Sequence, residues 1–147
     1  MTRAQDFFNR EQREDIKQAI MNAELDTSGE IRVHIDSKCK GDVVKQASKV
    51  FRKLKMHETE LRNGVLFYLA VKNRKFAVIG DDGIDKAVPE DFWETLKMDM
   101  LNAFREEKFT EGLIEGITRT GNYLKKHFPY QTDDENELSD EISFGKK

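Results

Sequence analysis

The chain has 147 residues, of which 36% are charged and 37% apolar, and its formal net charge is −3. A chain of this length forms one domain with a sizeable core, and its slight acidity gives no reason to expect affinity for nucleic acid. No apolar run approaches the roughly 18 residues of a membrane-spanning helix. The first residues lack the apolar stretch of a signal peptide, so we expect a cytoplasmic protein, and we also expect a monomer.

The first predicted element is a helix over residues 9–25. Asn9 and Gln12 form a variant of the capping box at its start, and Thr27-Ser28-Gly29 ends it. Residues 30–37 then alternate between apolar and polar side chains, which predicts a strand. The apolar positions of the helix are Ile16, Ala19, Ile20 and Ala23, and those of the strand are Ile31, Val33 and Ile35.

A second helix is predicted after Asp42, which is placed to cap it. Two apolar runs follow at residues 65–71 and 75–80, joined by the polar turn Lys72-Asn73, and they predict a hairpin. Strand, helix and strand in this order imply a right-handed parallel crossover. Because both hairpin runs are nearly continuous, we expect strands that are covered on both faces.

Two further helices are predicted, one beginning near Pro89 and one running from Phe109 to Phe128-Pro129. The second contains three glycines, for which close packing is the expected use: Gly112, Gly116 and Gly121. The fold class that follows is α/β, a three-layer α/β/α sandwich with a small mixed β-sheet covered by helices on both faces. We predict one domain over residues 1–129 and an acidic, flexible tail over residues 130–147, in which residues 133–141 are strongly acidic.

The hairpin ends in the acidic stretch Gly80-Asp81-Asp82-Gly83-Ile84-Asp85. Three carboxylates within five residues suit a hard divalent cation, Ca²⁺ or Mg²⁺, and the glycines would let the backbone fold around it. We therefore predict a metal site formed by Asp81, Asp82 and Asp85 in a flexible loop. The alternative is structural, with the first two residues forming a turn and the third capping a helical turn.

A fourth ligand is predicted on the first strand, where Glu30 and Asp36 stand at opposite ends. A parallel crossover followed by an antiparallel hairpin places the start of the first strand at the same edge as Asp81, so we prefer Glu30. The single cysteine, Cys39, excludes an internal disulfide. We interpret Cys39 as a loop residue and His34 as a structural histidine.

Four segments of the chain resemble, in order, the TPM domain family, named after a thylakoid lumen phosphatase-like protein, a photosystem II repair protein and a modulator of nematode acetylcholine receptors. They begin at Thr27-Ser28-Gly29-Glu30, Arg62-Asn63-Gly64, Arg74-Lys75-Phe76 and Phe109. The resemblance covers roughly Asp6 to Phe128. It implies an α/β/α sandwich, binding of a divalent cation near the loop after the hairpin, and the weak acid phosphatase activity attributed to the plant branch. Many relatives carry a signal peptide and a membrane segment, and we do not extend their membrane roles to this chain.

Two functions are therefore predicted for the domain. The first is a divalent-cation-binding module with at most weak phosphatase activity on a phosphorylated substrate, for which Arg62 and His57 are the catalytic candidates. The second is a non-enzymatic module whose bound cation orders the 80–85 loop and which binds a protein partner. The second function needs an exposed apolar patch, and the candidates are Phe7, Phe8, Phe92 and Trp93.

Overall fold

The computed structural model describes residues 4–129 and 142–145. Its helices are α1 (Ala4–Phe7), α2 (Arg10–Glu24), α3 (Val43–Lys53), α4 (Asp82–Ala87), α5 (Glu90–Arg105) and α6 (Phe109–His127), with a 3-10 turn at Met56–Glu58. Its strands are β1 (Glu30–Asp36), β2 (Gly64–Ala70), β3 (Lys75–Gly80) and β4 (Ser143–Phe144). No helix in these two ranges is both long enough and apolar enough to span a bilayer.

The four strands form one mixed sheet in the order β3-β2-β1-β4. β2 runs parallel to β1 and antiparallel to β3, which confirms the predicted crossover and hairpin. β2 is buried along its whole length, as predicted. β3 is an edge strand and is only partly buried at its ends. Both of its faces are nevertheless covered, as predicted, because Phe76 and Val78 pack into one core and Ala77 and Ile79 into the other.

The two faces of the sheet carry separate apolar cores, as the alternation of side chains along each strand requires. Ile31, Val33 and Ile35 point to the core formed with α2, α5 and α6. Leu66 and Tyr68 point to the opposite core, formed with α3 and Met56. Helices on both faces of a mixed sheet confirm the predicted three-layer α/β/α architecture.

The predicted helix starts agree with the structure. Asn9 accepts from the Gln12 N–H at 2.8 Å, while the Gln12 side chain accepts from the Asn9 N–H at 2.9 Å, which completes the capping box. Asp42 Oδ2 accepts from the Lys45 N–H at the start of α3. The glycines of α6 lie against neighbouring elements, as expected: Gly112 against Ala103, Gly116 against Met100 and Phe67, and Gly121 against Ala23.

The predicted tail departs from the expectation at its end. Ser143 and Phe144 form β4, which pairs in parallel with His34 and Ile35 of β1. The acidic residues 133–141, including Leu138, lie outside the described residues. The division of the chain at residue 129 stays a prediction.

Candidate functional site

Three of the segments noted in the sequence meet at the amino-terminal edge of the parallel strands. Glu30 pairs with Gly64, and the Asp81 N–H donates to the Gly64 carbonyl at 3.0 Å, continuing the β2–β3 ladder by one residue. Asn63 is 2% exposed, and its Nδ2 group donates to Ser28 Oγ at 3.4 Å. The register of the sheet therefore brings together residues that are far apart in the chain.

The Thr27-Ser28-Gly29 segment joins β1 to the end of α6. The Thr27 hydroxyl donates to the Leu124 carbonyl at 2.9 Å, and the Ser28 N–H donates to the Phe128 carbonyl at 2.8 Å. A side chain at Gly29 would collide with Leu124. These contacts give the segment a structural role, because it satisfies carbonyls at a helix end that have no partner within the helix.

Asp81 is the centre of the acidic stretch, and it is paired with Arg62. Arg62 Nε donates to Asp81 Oδ2 at 2.7 Å and Arg62 Nη2 donates to Oδ1 at 2.9 Å, a bidentate geometry. The same Oδ1 accepts from the Asp82 N–H at 2.8 Å, so Asp81 also caps α4. The Asp81 side chain is 5% exposed and that of Arg62 is 47% exposed.

The pKa of Asp81 lies below its ordinary value. Burial alone would raise this pKa, but the hydrogen bond from Arg62, the Asp82 N–H and the positive charges of Arg62 and His57 outweigh it. Asp81 is therefore held as a carboxylate, the form that a cation requires, although its oxygens already accept hydrogen bonds.

Asp82 and Asp85 are in the first turn of α4. Within the described part of the chain, neither forms a bidentate pair of the kind that holds Asp81. Asp82 Oδ2 lies 3.7 Å from Arg62 Nη2 and its side chain is 75% exposed. The pKa of Asp85 is raised by partial burial and by the negative charges of Asp82 and Asp81, against which Lys97 acts. This mutual repulsion is electrostatic strain that a bound cation would relieve.

Glu30 lies at the same sheet edge as Asp81, as the strand order predicted. Glu30 is 2% exposed. On β1 it pairs with Gly64 of β2, and Asp81, at the end of β3, bonds to Gly64 from the other side. Two strand spacings separate them, about 10 Å between backbones. Asp36 is at the far end of β1, so the preference for Glu30 over Asp36 in orientation is confirmed, while its role as a ligand stays a prediction.

The acidic stretch is helical rather than a flexible loop, which corrects the predicted conformation of residues 80–85. Gly80 ends β3, Asp81 caps the helix, and α4 begins at Asp82. Gly83 donates its N–H to the Arg62 carbonyl at 2.9 Å, and a side chain there would collide with the carbonyls of Leu61 and Arg62. Gly83 is thus required by a close backbone contact, and not for folding around an ion.

His57 lies on the 3-10 turn near this site, with a side chain that is 37% exposed. Its Nε2 atom is 3.8 Å from Glu58 Oε2, and its charge influences Asp81. Among the described residues, no three His, Cys, Asp or Glu side chains converge as a preformed metal site. The donor set suits a hard cation, but Arg62 occupies the position that a cation at Asp81 would take.

Of the four candidates for an exposed apolar patch, Phe8 is buried, which excludes it, and the other three are only partly exposed. Phe8 is 2% exposed and belongs to the main core, against which Phe7, Phe92 and Trp93 pack. Phe7 contacts Phe109 edge to face, and Phe92 contacts Trp93 in the same way. The Phe7–Phe109 contact joins distant segments of the chain, so helical spacing alone could not reveal it.

The model of the TPM domain family matches residues 1–123 of the chain. The BA42 protein of the psychrophilic bacterium Bizionia argentinensis, solved by NMR, is 42% identical over 99% of this chain and 100% of that chain, with a TM-score of 0.89. The N-terminal domain of a P. gingivalis protein is 18% identical over 84% of this chain and 82% of that chain, with a TM-score of 0.70. The N-terminal domain of cg2496 from Corynebacterium glutamicum is 13% identical over 80% and 74%, with a TM-score of 0.64. These last two similarities concern the fold alone, and no curated protein shows significant similarity.

Proposed function

This chain belongs to the TPM domain family, and from that premise we propose that it is a divalent-cation-binding module, loaded by Ca²⁺ or Mg²⁺ at the start of α4. Asp81, Asp82 and Asp85 are the ligands, and Glu30 completes the set from β1. The observation that carries the proposal is the placement of three carboxylates within five residues at the start of α4. Burial, and then the negative charges of Asp82 and Asp81, raise the pKa of Asp85, which agrees with a site that a cation would stabilise. A cytoplasmic location and a monomeric state stay predictions.

The cation and the Arg62 guanidinium compete for the same carboxylate in this account. Arg62 satisfies both oxygens of Asp81 when no cation is bound. A cation that takes Asp81 releases Arg62, whose side chain is already 47% exposed and can move into solvent. Cation binding is thus an exchange of one positive partner for another, and it changes the charge that the edge of the sheet presents.

The test is the melting temperature with and without Ca²⁺. At a Ca²⁺ concentration of about 100 times Kd, binding stabilises a native protein by about 2.7 kcal/mol, which raises Tm by about 5–10 °C in a domain of this size. We expect this rise in the wild-type protein and its loss in the Asp81→Asn, Asp82→Asn double variant.

A matched control removes the same charge from α2, where Glu11 and Asp15 are exposed. The Glu11→Gln, Asp15→Asn variant should keep the full Ca²⁺ response, because these residues belong to α2 and not to the acidic turn (residues 80–85) or to Glu30. An equal rise in Tm in the Asp81, Asp82 double variant would show that the ligand assignment is wrong.

The 47% exposure of the Arg62 side chain beside three carboxylates favours weak phosphomonoester hydrolysis as a second function. Arg62, once released from Asp81, is a guanidinium able to clamp a phosphate group beside the acidic turn, and His57 is near enough to influence Asp81. The measurement is Ca²⁺-dependent phosphate release from p-nitrophenyl phosphate. We expect slow release that Arg62→Gln abolishes, and release that survives in this variant would exclude Arg62 from the reaction. With no release at all, the proposal of hydrolysis is overturned, while the proposed cation site is tested separately by the melting temperature.

A further inference from the structure

A cleft of about 740 Å³ opens at the carboxyl end of β1, at the opposite end of that strand from the acidic turn. It arises because one helix, about 10 Å wide, covers only about two strands of a sheet. α3 packs on β3 and β2, so the outer face of β1 and β4 forms the floor of the cleft. The carboxyl end of parallel strands is where α/β sheets commonly bind ligands.

The floor of the cleft is a closed polar network. His34 Nε2 lies 2.9 Å from Asp36 Oδ1, and the Tyr68 hydroxyl donates to Asp36 Oδ2 at 2.5 Å. His34 Nδ1 lies 2.7 Å from Ser143 Oγ, which ties β4 to the network. His34, Asp36 and Tyr68 are all 9% exposed or less, so the floor of the cleft is formed by buried, hydrogen-bonded side chains.

Asp36 is the only carboxylate that lines the cleft among the described residues. Burial would raise its pKa, but hydrogen bonds from His34 and Tyr68 together with the charge of His34 bring the pKa below the ordinary value. Gly145 closes the cleft beside it, since a side chain at 145 would collide with Asp36 Oδ1. Both oxygens of Asp36 therefore have partners in the floor of the cleft, Oδ1 in His34 and Oδ2 in Tyr68.

Four lysines line the walls: Lys38, Lys40, Lys49 and Lys53. The first two flank Cys39 in the loop after β1, and the last two are four residues apart on one face of α3, where like charges repel each other. Within residues 4–129 and 142–145, none of the four forms a salt bridge. Four convergent cations without an acidic partner form a site that an anion would stabilise.

We propose that this cleft binds a small phosphorylated molecule. Lysines hold phosphate as point charges, without the planar geometry that arginine imposes. The volume falls within the range of small-molecule sites, about 300–1,000 Å³, and Val50 and Leu54 of α3 provide an apolar wall for the body of the ligand. A long nucleic acid fits less well, because the chain as a whole carries a net charge of −3.

The test is an amide NMR titration with pyrophosphate at fixed ionic strength, in the presence of a chelator so that no metal complex forms. We expect saturable shifts at residues 37–40 and along the Lys49 face of α3. The Lys49→Gln, Lys53→Gln variant should bind at least tenfold more weakly. The control is Lys45→Gln, Arg52→Gln, which removes the same charge from exposed positions of the same helix outside the cleft and should bind as the wild type does.

Three results would overturn the proposal. Shifts that never saturate, or that both double variants weaken equally, would mean only diffuse attraction to positive charge. Tighter binding of a single-stranded oligonucleotide than of pyrophosphate would identify a nucleic-acid groove instead. The Asp81→Asn, Asp82→Asn variant should bind pyrophosphate normally, so the outcome does not depend on the cation site.

Discussion

Asp81 and Asp85 are four residues apart, yet the structure moves their pKa values in opposite directions. Asp81 gains Arg62 and the Asp82 N–H as partners, which lower its pKa. Asp85 gains burial and two negative neighbours, which raise its pKa. At neutral pH the charge of Asp81 therefore stabilises the folded protein, whereas the charge of Asp85 destabilises it. Substitution of each residue by asparagine measures the two effects separately.

Asp81→Asn keeps a capping side chain but loses the charged pair with Arg62. Because the folded-state pKa of Asp81 is depressed, its stabilisation is present above the unfolded pKa of about 3.9 and is lost as pH falls through the folded pKa. We expect a loss of about 1–2 kcal/mol at pH 7, measured by urea unfolding. The difference from wild type should close as pH falls through the folded pKa, and a loss that is independent of pH would contradict the account.

Asp85→Asn is the matched comparison with the opposite sign. The pKa of Asp85 is higher in the folded than in the unfolded protein. The ionised Asp85 side chain therefore lowers the free energy of unfolding when the pH is above the folded-state pKa, and it has no such effect when the pH is below the unfolded-state pKa. The variant should therefore be at least as stable as wild type at pH 7 in the absence of Ca²⁺, with the gain absent at acidic pH. Equal destabilisation in both variants would show that the two carboxylates are not electrostatically distinct.

Among the elements, α4 departed most from expectation. Its six residues, Asp82–Ala87, contain too few apolar positions for a helical period to be visible in the sequence. Its start is set by the Asp81 side chain, and its position is set by the contact of Gly83 with the backbone at Leu61 and Arg62. Longer elements with clear periods, such as α2 and β2, were predicted with nearly their observed ends.

Gly83→Ala tests how α4 is held. A methyl group at this position would meet two carbonyls of the turn before β2, so the helix must shift and the Arg62–Asp81 pair must lengthen. We expect a loss of about 1–3 kcal/mol, seen as a lower urea midpoint. Gly41→Ala provides a contrast, because Gly41 has a φ of 85° but open space around it, so strain alone acts there. A Gly83→Ala variant as stable as wild type would show that this close contact does not determine the position of α4.

At the scale of the whole molecule, the sheet separates two charged sites. The acidic turn lies at the amino end of the parallel strands, and the cleft lined by Lys38, Lys40, Lys49 and Lys53 lies at the carboxyl end of β1. The seven residues of β1 separate the two sites by about 20 Å. The strand order was predictable from the crossover and the hairpin. The cleft was not, because β4 lies in a range predicted to be a flexible tail.

The Arg62–Asp81 pair shows why the candidate site was only partly predictable. The sequence identified both residues, but assigned one to a catalytic role and the other to a metal. They are 19 positions apart, and no local pattern connects them until the sheet register brings the turn before β2 against the end of β3. The donor chemistry could be read from residue types, whereas the competition between a guanidinium and a cation required the fold.

The most direct test is an amide NMR titration of the metal-free protein with Ca²⁺, carried out on wild type and on Arg62→Gln. Saturable shifts centred on residues 80–85 and Glu30 are expected in both proteins. Binding should be tighter in Arg62→Gln, because the competing guanidinium is absent. Shifts that are missing from this edge of the sheet, or weaker binding in the variant, would contradict the claim that a cation and Arg62 compete for Asp81.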